Sequence, residues 1–142
     1  MSDRSNRLTV LIGDDDVAVR SSVEDLLGDR GFRLLTAGDG REALRLLFGE
    51  LVDLSILDVE MPGLTGPEVI HAFLQGPFIA GDSGPAQRAA PPRQMPVIFM
   101  SGNRSSEVRS TCEELGSTFL DKPFAPDDMR SAVDRVLEEF LQ

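Results

Sequence analysis

Short apolar runs and longer amphipathic stretches alternate five times along this chain. Val10-Leu11-Ile12 is a continuous apolar run that ends at Gly13, as a strand covered on both faces should. From Val17 to Arg30 the apolar positions Val19, Val23, Leu26 and Leu27 recur at helical spacing, with Gly31 placed to stop the helix. Phe32 to Ala37 predicts a second strand, and Asp39-Gly40 a turn. The helix that follows carries Ala43, Leu44, Leu47 and Leu51 on one face. Leu54 to Leu57 predicts a third strand that ends on Asp58; Met61-Pro62-Gly63 breaks the chain. A third helix is expected from about Pro67, a residue suited to a first helical turn, to Leu74.

The alternation then lapses. Gly76 to Pro96 is rich in Gly, Pro and Ala, and is expected to be a long loop or an insertion. Val97 to Met100 resumes the pattern as a fourth strand ending on Ser101. A helix with Val108, Cys112 and Leu115 on one stripe follows, then a short fifth strand over Ser117 to Asp121. Asp127 is the expected cap of a last helix whose stripe is Met129, Ala132, Val133, Val136, Leu137 and Phe140. Strict strand–helix alternation predicts an α/β fold, a mostly parallel sheet with helices on both faces, because each parallel crossover needs a helix. One domain is expected over 1–142, with an ordered core over 7–141 and no further domain after Gln142.

Composition acts mainly by exclusion. At 142 residues, 41% hydrophobic and 27% charged, the chain suits one globular core. A single cysteine and a single histidine exclude an internal disulfide and a Cys/His zinc site. The net charge of −10 and the lack of Trp and Tyr argue against nucleic-acid binding by this domain alone. No apolar run is long enough to span a membrane, and the polar start leads into a run too brief for a signal peptide. A cytoplasmic location is therefore expected.

In open α/β sheets, ligands bind beyond the carboxyl ends of the strands. The first strand delivers Asp14, Asp15 and Asp16 to that rim, the third Asp58, the fourth Ser101 and the fifth Lys122. Carboxylates gathered there repel one another, and a hard divalent cation such as Mg²⁺ relieves the repulsion. Asp58 could then attack a phosphoryl group, with Lys122 and Ser101 offering positive charge and a hydroxyl to its oxygens. Each residue alone has a plainer explanation. An acidic run suits a helix N-terminus, and Asp16 reads as the cap of the first helix. Ser101 could be a turn residue, Lys122 a solvated charge, Cys112 a packed core thiol, His71 a surface residue and Phe119 plain core.

Five segments together resemble the receiver domains of response regulators, the CheY-like family. They are Leu11-Ile12-Gly13-Asp14-Asp15-Asp16, Thr36 to Leu44, Leu57 to Gly63, Ser101-Gly102 and Asp121 to Phe124, in order on the matching element ends. The resemblance implies a doubly wound, flavodoxin-like five-stranded parallel sheet in the order 2-1-3-4-5. It implies that Asp58 is the phosphoacceptor. It also implies that Asp15 ligates Mg²⁺ directly, Asp14 directly or through water, and that Asp58 and the Glu60 main-chain carbonyl complete the protein ligands. The same resemblance implies that Mn²⁺ can take the place of Mg²⁺. Lys122 and Ser101 correspond to the phosphate-binding residues, Ser101 and Phe119 to the switch pair, and Lys122–Pro123 to a bond usually cis in the family. Glu60 and Asn103, two residues beyond Asp58 and Ser101, would tune dephosphorylation.

The implied function is a phosphoacceptor signalling domain rather than a classical enzyme, with intrinsic autophosphorylation from small donors and autodephosphorylation. The implied partners are a histidine kinase or histidine phosphotransfer protein upstream. Downstream stands a protein target, or a second copy, bound through the face of the fourth helix, fifth strand and fifth helix. The chain would be a stand-alone regulator or a piece of a longer one. A small phosphatase using aspartyl phosphate and a pseudo-receiver are the rival readings. The first expects its nucleophile on the first strand, and intact Asp14, Asp15, Asp58, Ser101 and Lys122 speak against the second. Three departures stand out: Gly13 where an apolar residue is usual, expected to loosen the rim; Thr65 in place of an acidic residue; and the long 76–96 segment.

Overall fold

Runs of β-branched and aliphatic residues form strands here because both their faces are covered. In a computed structural model, which describes residues 7–76, 95–103, 105–115 and 117–141, five strands appear: β1 (Thr9–Gly13), β2 (Arg33–Ala37), β3 (Leu54–Asp58), β4 (Val97–Ser101) and β5 (Thr118–Asp121). All neighbouring pairs are parallel, in the order β2-β1-β3-β4-β5. The sheet alternates with α1 (Val17–Gly28), α2 (Gly40–Gly49), α3 (Gly66–Gln75), α4 (Ser106–Glu114) and α5 (Pro126–Leu141). The order reverses between β1 and β3, so the ends of those two strands and of β4 flank the crevice where such sheets bind ligands.

The three central strands are buried along their whole length, whereas β2 and β5 at the edges are half-covered. Alternate side chains of the central strands feed two cores. Val10, Ile12, Leu54, Ile56, Ile98 and Met100 pack with Val23, Leu27, Met129 and Val133 of α1 and α5. Leu11, Leu57 and Phe99 pack on the other side with Ala43, Leu47, Val69, Ile70 and Cys112 of α2, α3 and α4. Each fully buried aliphatic side chain contributes about 1.5–3 kcal/mol. No described helix is long and apolar enough to cross a membrane.

Several boundaries differ from the sequence expectation. The helix expected to carry Leu51 ends at Gly49, where the Glu50 N–H bonds the Leu46 carbonyl; Leu51 lies beyond it, 72% exposed. Asp127 is not the cap of α5. It lies inside the first turn, paired with Arg130 at 3.0 Å, while the Asp128 carboxylate accepts the Ala125 N–H at 2.9 Å. Phe140 lies at the exposed edge of its stripe. The first helix ends at Gly28, and Gly31 follows with φ +81°, the left-handed turn into β2. Of the 76–96 segment, residues 77–94 lie outside the described residues.

Candidate functional site

β1 and β3 both run into acidic residues at their carboxyl ends. Asp14 is fully buried: its N–H bonds the Ala37 carbonyl of β2 at 3.0 Å, and its Oδ1 accepts the Asp16 N–H at 2.9 Å. Arg20 reaches back from α1 to the Asp14 carbonyl at 2.8 Å. Asp58, the last residue of β3, is 4% exposed; the chain beyond it stays fixed because the Val59 N–H bonds the Met100 carbonyl at 2.8 Å. Asp15 faces solvent, yet one carboxylate oxygen from each of Asp14, Asp15 and Asp58 lies within 4.8 Å of the others. Asp16 is free of this cluster and caps α1, accepting the Ala18 N–H at 2.9 Å.

Gly66 brings α3 against this end of β3. A Cβ there would sit 2.6 Å from the Asp58 carbonyl oxygen and 3.1 Å from the Phe99 ring. Thr65, the departure in this loop, caps α3 through a reciprocal capping box with Glu68, at 2.8 and 3.2 Å. Gly13 does not loosen the rim as expected. Leu57 and Met61 fill the space, and an added Cβ would stand 2.8 Å from Leu57 Cδ2.

Lys122 enters from the end of β5 across a cis Lys122–Pro123 bond. Its main-chain N–H bonds the Ser101 carbonyl at 2.8 Å, which ties β5 to β4. Its ammonium donates to Asp14 Oδ2 at 2.8 Å and lies 3.4 Å from Asp58 Oδ1. That Asp58 oxygen is buried and accepts no hydrogen bond from any described residue. Burial pushes the Asp58 carboxyl up to about 7, helped by the Asp14 charge and opposed by Lys122. For Lys122 burial pulls downward, but the hydrogen bond to Asp14 and the Asp58 and Asp14 charges outweigh it and raise its value. Three carboxyl groups share one ammonium, and one buried oxygen, though ion-paired with it, accepts no hydrogen bond among the described residues. A hard divalent cation with oxygen ligands fits that set.

Ser101 is fully buried at the end of β4. Its Oγ accepts the Asn103 N–H at 2.9 Å and donates toward both Glu60 carboxylate oxygens at 3.2 Å. Asn103 side-chain Oδ1 is taken by the Ser105 N–H at 2.8 Å, at the start of α4. Phe119 is half-buried on β5 with the Arg109 guanidinium 4.5 Å above its ring, and Arg109 also pairs with Asp121 at 3.2 Å.

The sequence pattern of the response regulator receiver domain matches residues 10–134. The chain belongs to the response regulator receiver domain family.

As a receiver domain it is 31% identical over 136 residues to the probable transcriptional regulator ycf27 of Guillardia theta, covering 95% of this chain and 47% of that protein. It is likewise 31% identical to the response regulator MprA of Mycolicibacterium vanbaalenii, over 90% of this chain and 49% of that one. This receiver chain thus spans about half the length of these curated relatives. Among solved structures, the chemotaxis protein CheY4 of Vibrio cholerae superposes with a TM-score of 0.75 at 31% identity, covering 92% of this chain and 99% of that one.

The receiver fold gathers Asp14, Asp15, Asp58 and Lys122 into one cluster, and Ser101, Glu60 and Asn103 into an adjoining hydrogen-bonded group. Phe119 sits against Arg109 rather than in either group. Two features escaped the sequence. One is the contact between Glu60 and Ser101, 41 residues apart; the other is the stacking of Arg109 on Phe119. The Arg109–Phe119 spacing spans a helix and a turn, so periodicity carried no signal for it.

Proposed function

We propose that this receiver domain takes a phosphoryl group on Asp58 from a histidine kinase or histidine phosphotransfer protein in the cytoplasm, with Mg²⁺ as its metal. The buried Asp58 oxygen without a hydrogen-bond partner, 3.4 Å from Lys122, carries this proposal most directly. Lys122 pairs with that oxygen by charge without a hydrogen bond, which leaves its lone pairs available to bond phosphorus. Asp14, Asp15, Asp58 and the Glu60 main-chain carbonyl would hold the cation, with Mn²⁺ as a substitute. When bound, Mg²⁺ supplies charge neutralisation and Lewis acidity at the phosphoryl oxygens.

Asp58 Oδ attacks phosphorus, the P–N bond of the phosphohistidine breaks, and the imidazole leaves with its electron pair and takes up a proton. Lys122, already between Asp14 and Asp58, shifts toward the new dianionic group, and the Ser101 hydroxyl turns to it. The Ser101 carbonyl holds the Lys122 N–H, so the two phosphate-facing residues move from a shared backbone anchor. Phe119 then turns inward, and the face of α4, β5 and α5 changes toward a protein target or a second copy. Glu60 and Asn103 tune the lifetime by bordering the path of the attacking water. The segment 1–142 is one receiver domain, and it does not bind nucleic acid by itself.

Incubation with acetyl phosphate and Mg²⁺ should add the mass of one phosphoryl group to the intact protein. Asp58→Asn or a chelator should abolish the addition. An adduct that forms equally on Asp58→Asn would place the chemistry elsewhere.

A further inference from the structure

We propose that Glu60 is a positioning residue: its carboxylate holds the Ser101 hydroxyl in the unphosphorylated protein, and the two acceptors, Glu60 and phosphate, compete for one proton. This rests on the reading of Asp58 as phosphoacceptor and Ser101 as the hydroxyl that turns to the phosphate.

A serine hydroxyl has a single proton to donate and lone pairs to accept with. Ser101 is fully buried, so its hydroxyl must find partners inside the protein. The Asn103 N–H at 2.9 Å occupies the accepting side. The proton points at Glu60, whose two oxygens stand at an equal 3.2 Å. The next acceptor, the Asn103 carbonyl, lies at 3.5 Å and is the weaker of the two. The Ser101 backbone is pinned by β4 and by the Lys122 N–H at 2.8 Å, so the change of partner falls to the side chain.

Glu60 itself is exposed and can return to water at little cost once released. A phosphoryl dianion arriving on Asp58 offers the hydroxyl a stronger acceptor than the Glu60 carboxylate. The Glu60 contact is therefore part of what phosphorylation must break, and it sets how far the ligand-free protein leans toward the inactive arrangement. A ligand moves such a balance only by the difference in its affinity for the two states.

The probe is beryllofluoride with Mg²⁺, its affinity measured by isothermal titration calorimetry on the full chain. Glu60→Ala should bind it about three- to ten-fold more tightly than the wild type, the size expected for losing one partly exposed, charge-assisted hydrogen bond. Glu60→Gln keeps an acceptor and should stay near wild type. In a Ser101→Ala background, Glu60→Ala should change nothing. In ligand-free protein, the Asn103 amide resonance should move toward its beryllofluoride-bound position in Glu60→Ala but not in Glu60→Gln.

Unchanged or weaker binding by Glu60→Ala would overturn the proposal. So would an equal gain in the Ser101→Ala background or in Glu60→Gln, since the carboxylate would then act through charge alone. Wild-type binding that is lost in Asp58→Asn, combined with either of those failures, removes this inference alone. Absence of wild-type binding removes the Asp58 reading with it.

Discussion

Asp58 is kept where its charge is costly. Burial, and then the neighbouring Asp14 charge, lift its carboxyl from the ordinary 3.8 to about 7, and Lys122 only partly offsets them. A carboxyl with a higher value folded than unfolded binds protons more tightly in the native state. It costs nothing below the unfolded value, and its ionisation costs progressively more as pH rises toward the folded one. In chelator, the stability of the wild type relative to Asp58→Asn should therefore fall between about pH 4 and pH 7, by ~1–3 kcal/mol. Urea titrations followed by circular dichroism would measure it, since the chain has no Trp or Tyr to report by fluorescence. A difference that stays flat across that window would mean Asp58 is not the strained group. Cys112 makes the contrast. Burial pushes its thiol up to about 11, with the Glu60 charge adding to it, which leaves a packed and unreactive side chain.

At the scale of elements, close approach at the rim of the sheet decides the geometry. The N-terminus of α3 can meet β3 because residue 66 has no side chain: a Cβ would lie 2.6 Å from the Asp58 carbonyl, a backbone atom that cannot swing away. Gly66→Ala should cost ~1–3 kcal/mol in thermal or urea unfolding and weaken metal binding with it, because the strand end carrying Asp58 must shift. Full stability with intact metal affinity would show that the rim is more pliable than its packing implies. The elements themselves were legible because the central strands are short, mainly apolar runs, each followed by or ending on a polar residue at the rim. Asp14, Asp58 and Ser101 could be placed for that reason alone, whereas Lys122 follows the half-covered β5 and stood out by its place between a strand end and a proline. Helix ends were less legible. Leu51 continued a helical stripe that Gly49 had already ended, and Asp127 and Asp128 are adjacent acids of which the carboxylate of the second makes the capping bond. Beyond the convergence of strand ends on one rim, side-chain contacts between distant elements were not legible. Nothing in the local pattern at Glu60 or Ser101 indicates that the two side chains meet.

For the molecule as a whole, the proposed function would couple metal, phosphate and stability through the cluster at the carboxyl ends of the strands. A chain of net charge −10 that gathers three carboxylates, two of them paired with one lysine, should gain stability when a divalent cation joins them. Mg²⁺ at about ten times its dissociation constant should add ~1.4 kcal/mol, a rise of a few degrees in Tm. Most of that rise should vanish in Asp58→Asn, and scanning calorimetry with and without Mg²⁺ would read it; a rise of equal size in both proteins would place the cation elsewhere. The coupling also has an anatomical basis: β1, β3, β4 and β5 each deliver one part of the site, so no segment smaller than the sheet can build it. Trapping the acyl phosphate with borohydride tests the central claim most directly, because reduction converts a phosphoaspartate to homoserine. After acetyl phosphate and Mg²⁺, peptide mass spectrometry should find homoserine at position 58. Homoserine at Asp14 or Asp15 instead, or at no position while the protein still carries phosphate, would contradict the account.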